Sequence, residues 1–136
     1  MRKFLYIFIN SLYFSLLILI FEIYMRLIED KIDISELKIL ADEYFGDFVK
    51  AVIDIKLEIV VFGGELHSDE EAILLQNGSD QFDLWGINIY PDEPRDKWIE
   101  FDSMINIRPK QNNRSRTVED ELIQKRITEI INKIVI

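Results

Sequence analysis

The sequence predicts an α+β domain: a four-stranded, mainly antiparallel sheet with helices packed on one face, in the order α-β-β-α-β-β-α. Three observations predict it. Two β-branched apolar runs, 48–55 and 57–66, are broken only by Lys56, the spacing of a tight antiparallel hairpin. Helical periodicity with start and stop signals brackets that hairpin at 34–45 and 69–76. Two more strand-like runs, 83–90 and 98–107, precede a final helix. Paired strands set between helices make a two-layer sandwich, whose uncovered sheet face is partly polar and solvated.

The first helix opens at Asp33-Ile-Ser-Glu36, a capping box in which Asp or Ser accepts early N–H groups and Glu36 reaches back. Leu37, Leu40, Ala41, Tyr44 and Phe45 share one face, and Gly46 is a natural stop because it lacks a Cβ. In the first strand Val49, Ala51, Ile53 and Ile55 make one face. Phe48, Lys50, Val52 and Asp54 make the other, mixed one. Gly63-Gly64 signals a bulge or a close backbone approach. Ser68-Asp-Glu-Glu71 reads as a second capping box, starting a short helix that buries Ala72, Ile73 and Leu75 and stops at Asn77-Gly78.

The third strand, 83–90, is closed by Pro91 and Pro94, which cannot donate to a ladder. In the fourth, Ile99, Phe101, Ser103, Ile105 and Ile107 point to the core. Trp98, Glu100, Asp102, Met104, Asn106 and Arg108 point away, and Pro109 ends the strand. Thr117-Val-Glu-Asp120 caps the last helix, with Ile123, Ile127, Ile130 and Ile134 as its buried stripe.

The chain of 136 residues divides into a hydrophobic segment, 1–24, and one domain, 25–136. Residues 4–21 carry no charge and would span about 27 Å as a helix, close to a bilayer core. They read either as a membrane anchor or as an extension upstream of a natural start at Met25. The first reading makes a single-pass, membrane-tethered interaction domain, the second a cytoplasmic protein. The formal charge of −9 opposes an extended nucleic-acid interface. The absence of cysteine excludes disulfides, thiolate metal sites and cysteine nucleophiles.

Residues 65–91, ELHSDEEAILLQNGSDQFDLWGINIYP, and 99–116, IEFDSMINIRPKQNNRSR, resemble a family of small prokaryotic proteins known as a domain of unknown function, DUF5674. The resemblance runs from about Met25 to the C-terminus, and the helix in ISELKILADEYFGDFVKAV is similar to the family's opening. It implies no activity, cofactor or catalytic residue.

The charge pattern supplies the leading site. Arg108, Lys110, Arg114 and Arg116 fall together in an otherwise acidic domain, with Asn112, Asn113 and Ser115 among them. Guanidinium forks match phosphate or carboxylate oxygens, and the N-terminus of the following helix favours an anion. Asn88, Asp102 and Asn106 extend this into a polar floor on the sheet. The loop 108–116 is therefore expected to bind an anionic small molecule or a protein partner. The bland alternative is that its arginines pair with the domain's own acids, Asp102 and Glu119 among them.

A second site centres on His67, the only histidine. Glu65 and His67 point the same way along a strand, and Asp69 follows. These three could hold a divalent metal, magnesium, manganese or calcium rather than zinc, for hydrolysis of a phosphate ester. His67, Glu65 and Asp102 are then the acid–base candidates. The alternative is a structural histidine beside capping acids.

Overall fold

The β-branched runs flanking Lys56 fold back on each other as expected and form the centre of a sheet. The computed structural model describes residues 25–136. In chain order the elements are β1 (Arg26–Ile28), α1 (Ile34–Tyr44), β2 (Val49–Asp54), β3 (Ile59–Phe62), α2 (His67–Gln76), β4 (Leu84–Ile89), β5 (Ile99–Glu100) and α3 (Glu121–Ile134). Short 3-10 turns at Gln81–Asp83, Arg95–Lys97, Met104–Asn106 and Pro109–Gln111 fill the connections. The sheet order is β1-β3-β2-β4-β5, and every neighbouring pair is antiparallel.

The α+β class holds, with one strand more than expected. β1 pairs its three residues with β3, a segment too short to show a period in the sequence. Asp54 faces Ile59 across the hairpin, and its carboxylate accepts the N–H groups of Lys56 and Leu57 at 2.9 and 2.8 Å. That side chain, together with Glu58 at φ 56°, closes the turn.

The helices do not all lie on one face. Val49, Ala51, Ile53, Trp85, Ile87 and Ile89 pack with α1 and α3, whose Leu37, Leu40, Ile127, Ile130, Ile131 and Ile134 complete the main core. Leu27, Val52, Val61 and Leu84 turn to the opposite face and pack with Leu74 of α2. The molecule is thus layered on both sides of the sheet, with the short helix alone on the second side. Apolar residues on both faces of β3 call for such a double cover.

α2 also begins earlier than its charge pattern suggests. Its N-cap is Leu66, with no side-chain cap bond, so Ser68 does not act as one. The buried stripe is His67, Glu70 and Leu74, while Ala72 is exposed and Leu75 largely so. Ile73 packs partly against the same core as expected, but two of the three buried residues are polar, so hydrophobic periodicity missed most of the inner side. α1 starts on Asp33 and stops at Gly46 (φ 88°) as expected; α3 starts on Asp120 rather than Thr117, and Asp120 accepts from Leu122 N–H. Beyond α3 the chain end is tied down: Ile32 N–H donates to Ile134 O, and Ile136 N–H to Ile32 O.

The run 98–107 is not one strand. Only Ile99 and Glu100 pair with β4. Trp98, expected to face away, is buried in the main core and donates its indole N–H to Glu93 O. Beyond Glu100 the chain passes over Gly86 and turns at Met104–Asn106, which leaves Ile107 exposed.

Candidate functional site

The basic loop is largely committed to the fold. Arg108 is half-buried and stacks its guanidinium 4.3 Å from the centroid of Trp85. It donates to Gln81 O, Leu84 O and Gln111 Oε1, and so ties the segment before β4 to the loop. Asn113 is buried. Its Nδ2 donates to Asn106 O, Ser115 O and Thr117 O, and its Oδ1 accepts Glu119 N–H. Asn112 occupies the left-handed region at φ 59°. Glu119 in turn accepts Arg114 N–H, so a carboxylate of the chain already sits where an outside anion was expected. Lys110 and Arg114 remain on the surface.

Asn106 is fully buried and takes over the role of a strand. Its Oδ1 accepts Gly86 N–H at 2.8 Å and its Nδ2 donates to Gly86 O at 2.9 Å, with Arg116 O a second acceptor at 3.0 Å. A side-chain amide offers one donor and one acceptor in a plane, as a peptide group does, and so extends the ladder where the backbone has turned away. Gly86 is required for this approach: a Cβ there would lie 2.6 Å from both Cβ and Oγ of Ser103.

What remains lies on the α2 side of the sheet, toward its far end. Lys50, Asn88 and Glu100 are direct cross-strand partners on β2, β4 and β5. Lys50 is half-buried, stands 5.3 Å from the ring centroid of Phe45, and has no carboxylate oxygen within 4.0 Å among the described residues. Asn88 is buried, and its Nδ2 donates to Glu100 Oε1 at 2.8 Å and to Asp102 O at 3.3 Å. Its Oδ1 is buried without a hydrogen bond of normal geometry. Asp102 holds Arg116 through a two-point ion pair, 2.6 Å to Nε and 3.2 Å to Nη2. Tyr90 stands beside Glu100, and burial first and that carboxylate next raise its phenol's pKa. Phe48 and Phe45 stack at 4.5 Å, with Tyr90 5.3 Å beyond Phe48, and form an aromatic edge to the row.

The first turn of α2 covers this row with two buried ionisable groups. His67 places Nε2 2.8 Å from Ile87 O, an acceptor only, so Nε2 carries the proton. Burial pushes its pKa down to about 4, aided by the Lys50 charge; the Ile87 bond, Asp102 and the neighbouring Asn88 side chain oppose it. Glu70 accepts Gly64 N–H at 2.7 Å. Burial raises its pKa well above the usual carboxylate range, against the Gly64 bond and Lys50. Its Oε2 has no partner. The expected close approach at Gly63-Gly64 is therefore to this carboxyl: a Cβ on Gly64 would lie 2.8 Å from Glu70 Cγ.

The expected metal set does not assemble. Glu65 is exposed, His67 is turned inward to Ile87 O, and Asp69 lies further along the helix's first turn. Among the described residues no three histidine or carboxylate side chains converge in a way that could hold a metal ion. Of the acid–base candidates, Asp102 acts on His67: its carboxylate favours the protonated ring, against the larger effect of burial. Lys50, Glu70 and Tyr90 carried no signal of their own in the sequence. The alternation of β2 placed Lys50 on a mixed face, but only the register sets it opposite Asn88.

Fold and site together define a small α+β domain with a row of polar side chains between one sheet face and a short covering helix. The chain belongs to the family described as a protein of unknown function, DUF5674, which it matches over residues 26–134. No curated protein and no solved structure matches it. The two stretches that carry the family resemblance, 65–91 and 99–116, supply α2, β4, β5 and the loop after β5, and so meet at this row. No helix among the described residues is long and apolar enough to cross a membrane, and residues 4–21 lie outside the described part.

Proposed function

We propose that the domain binds a small anionic ligand at Lys50, at the end of the row Lys50, Asn88 and Glu100. One observation carries this reading: Lys50 is a half-buried ammonium without an ion-pair partner in a strongly acidic domain. Partly desolvating a cation is costly unless a partner compensates. Of the two ionisable groups that α2 brings near it, His67 has its pKa lowered to about 4 by burial and stays neutral near neutrality, and burial of Glu70 raises its pKa and so disfavours the carboxylate. The binding role first assigned to loop 108–116 thus moves onto the sheet. Asn106 and Asn113 hold the chain after β5 against Gly86, and Arg116 pairs with Asp102 at the edge of the row.

Calorimetric titration of the protein with inorganic phosphate and with small carboxylates tests this. Binding is expected in the wild type and in Arg114→Ala, and is lost in Lys50→Gln. Equal binding by Lys50→Gln would remove the site from the sheet.

A further inference from the structure

We infer that α2 is a hinged cover: it lifts off the second sheet face as one unit while the sheet and the other two helices stay folded. The inference is independent of what binds at Lys50.

The two faces of the sheet are covered unequally. Among the described residues the main core holds nineteen buried apolar side chains, with α1 and α3 both contributing. The second core holds seven, and only Leu74 of these comes from α2. Ile73 adds a partly buried contact. Burial of apolar area is what holds a helix to a sheet, so α2 is the most weakly held of the three helices. Its two other inward side chains are polar. Each is anchored by one hydrogen bond to backbone: His67 Nε2–H donates to Ile87 O, and Gly64 N–H donates to Glu70 Oε1.

Polar atoms in and just after the helix make lifting less costly. Glu70 Oε2, Glu71 Oε2 and Ser79 Oγ are buried without a hydrogen bond. Each regains water when α2 leaves the sheet, which offsets part of the cost of exposing Leu27, Val52, Val61 and Leu84. The start of the helix is weakly fixed as well: Leu66 caps it without a side-chain bond and is 57% exposed.

Both ends of α2 run into glycine. Gly63 (φ 91°) and Gly64 precede it, and Gly78 (φ 96°) follows its last turn. A Cβ on Gly78 would meet nothing within 4 Å, so backbone conformation rather than space calls for glycine there. Element-terminal residues that absorb large dihedral changes are what a hinge motion uses. His67 and Glu70 both lie near Lys50, and His67 lies near Asn88, so lifting α2 opens the inner part of that polar row to solvent.

The test is native-state amide hydrogen exchange of the full chain, followed residue by residue by NMR at neutral pH in low urea. The amides of residues 71–75 are expected to share one opening constant, about tenfold or more above that of Val52 and Ile87, with little dependence on urea. Ile130→Val loosens the main core, which stays packed when α2 lifts. It should speed exchange at Val52 and Ile87 by about threefold or more and leave residues 71–75 unchanged. Leu74→Ala should speed both groups alike, because it weakens the closed state against either open one. Equal constants and equal urea dependence in α2 and the sheet would overturn the cover. So would an Ile130→Val effect on residues 71–75 as large as that on Val52. Exchange of those helix amides at unrelated rates would show fraying instead of a unit, and would overturn it too.

Discussion

The side chain of Asn106 and the backbone of Gly86 form a closed two-way pair, with bonds of 2.8 and 2.9 Å. The contact substitutes for a strand. It holds the chain after Glu100 against β4, although backbone pairing between β4 and β5 ends at Asn88 and Glu100.

Removing that pair should be costly. Asn106→Ala leaves Gly86 N–H, Gly86 O and Arg116 O without their partner in a buried place, a loss of about 3 kcal/mol or more. Gly86→Ala should cost about 1–3 kcal/mol by overpacking on Ser103, and Ser103→Gly should restore part of it. Urea unfolding of the single and double variants measures both, and additive losses would contradict the contact.

Arg108 and Arg114 should separate sharply despite their closeness in sequence. Arg108→Lys loses the stacked fork over Trp85 and at least one of its backbone carbonyl partners, so the thermal midpoint should fall by several degrees. Arg114→Ala removes an exposed side chain and should leave the midpoint within error. Equal effects in a melting experiment would refute the assignment of Arg108 to the fold.

His67 and Glu70 should give opposite pH limbs. The native His67 pKa, about 4, lies below its unfolded value of 6.5, so the unfolded state binds the extra proton first. Stability from this group is present above pH 6.5 and is lost as pH falls toward 4. The raised Glu70 pKa acts the other way: its contribution is complete below 4.5 and is lost as pH rises through the native value. Glu70→Gln keeps an acceptor for Gly64 N–H, so it should match wild type near pH 4 and exceed it at pH 8. His67→Gln should flatten the acid limb between pH 6.5 and 4. Denaturant midpoints recorded across pH 4–8 decide it. A Glu70→Gln variant no more stable than wild type at pH 8 would mean that folding does not raise the pKa of this carboxyl.

The Asp102–Arg116 pair should matter little for stability. Both side chains are exposed, 41% and 53%, and exposed pairs are screened by water and salt. Asp102→Asn should leave the unfolding midpoint unchanged at 0.5 M salt, roughly where the Debye length is a few ångströms. A clear loss under those conditions would show that Asp102 supports the backbone turn itself.

Much of the molecule was legible without coordinates wherever burial follows apolar periodicity. β2 alternates Val49, Ala51 and Ile53 against Lys50 and Val52, and both faces came out as expected. The starts and stops at Asp33 and Gly46 are local chemistry between near neighbours in the chain. Periodicity failed where polar side chains take buried places. The inner stripe of α2 is His67–Glu70–Leu74, and its carboxyl is housed by Gly64 rather than by a cap. The run 98–107 alternates like a strand, yet Asn106 supplies the pairing through its side chain.

The amino-acid sequence by itself determined the α+β class, the central hairpin, the start and stop of α1 and the cation-rich stretch 108–116. Those depend on residue type and spacing along the chain. Only the tertiary structure decided that Arg108 and Asn113 face inward, that α2 covers the second sheet face, and that Lys50 stands opposite Asn88. Those facts depend on strand register and on which groups lose water together, and both arise from segments far apart in the chain.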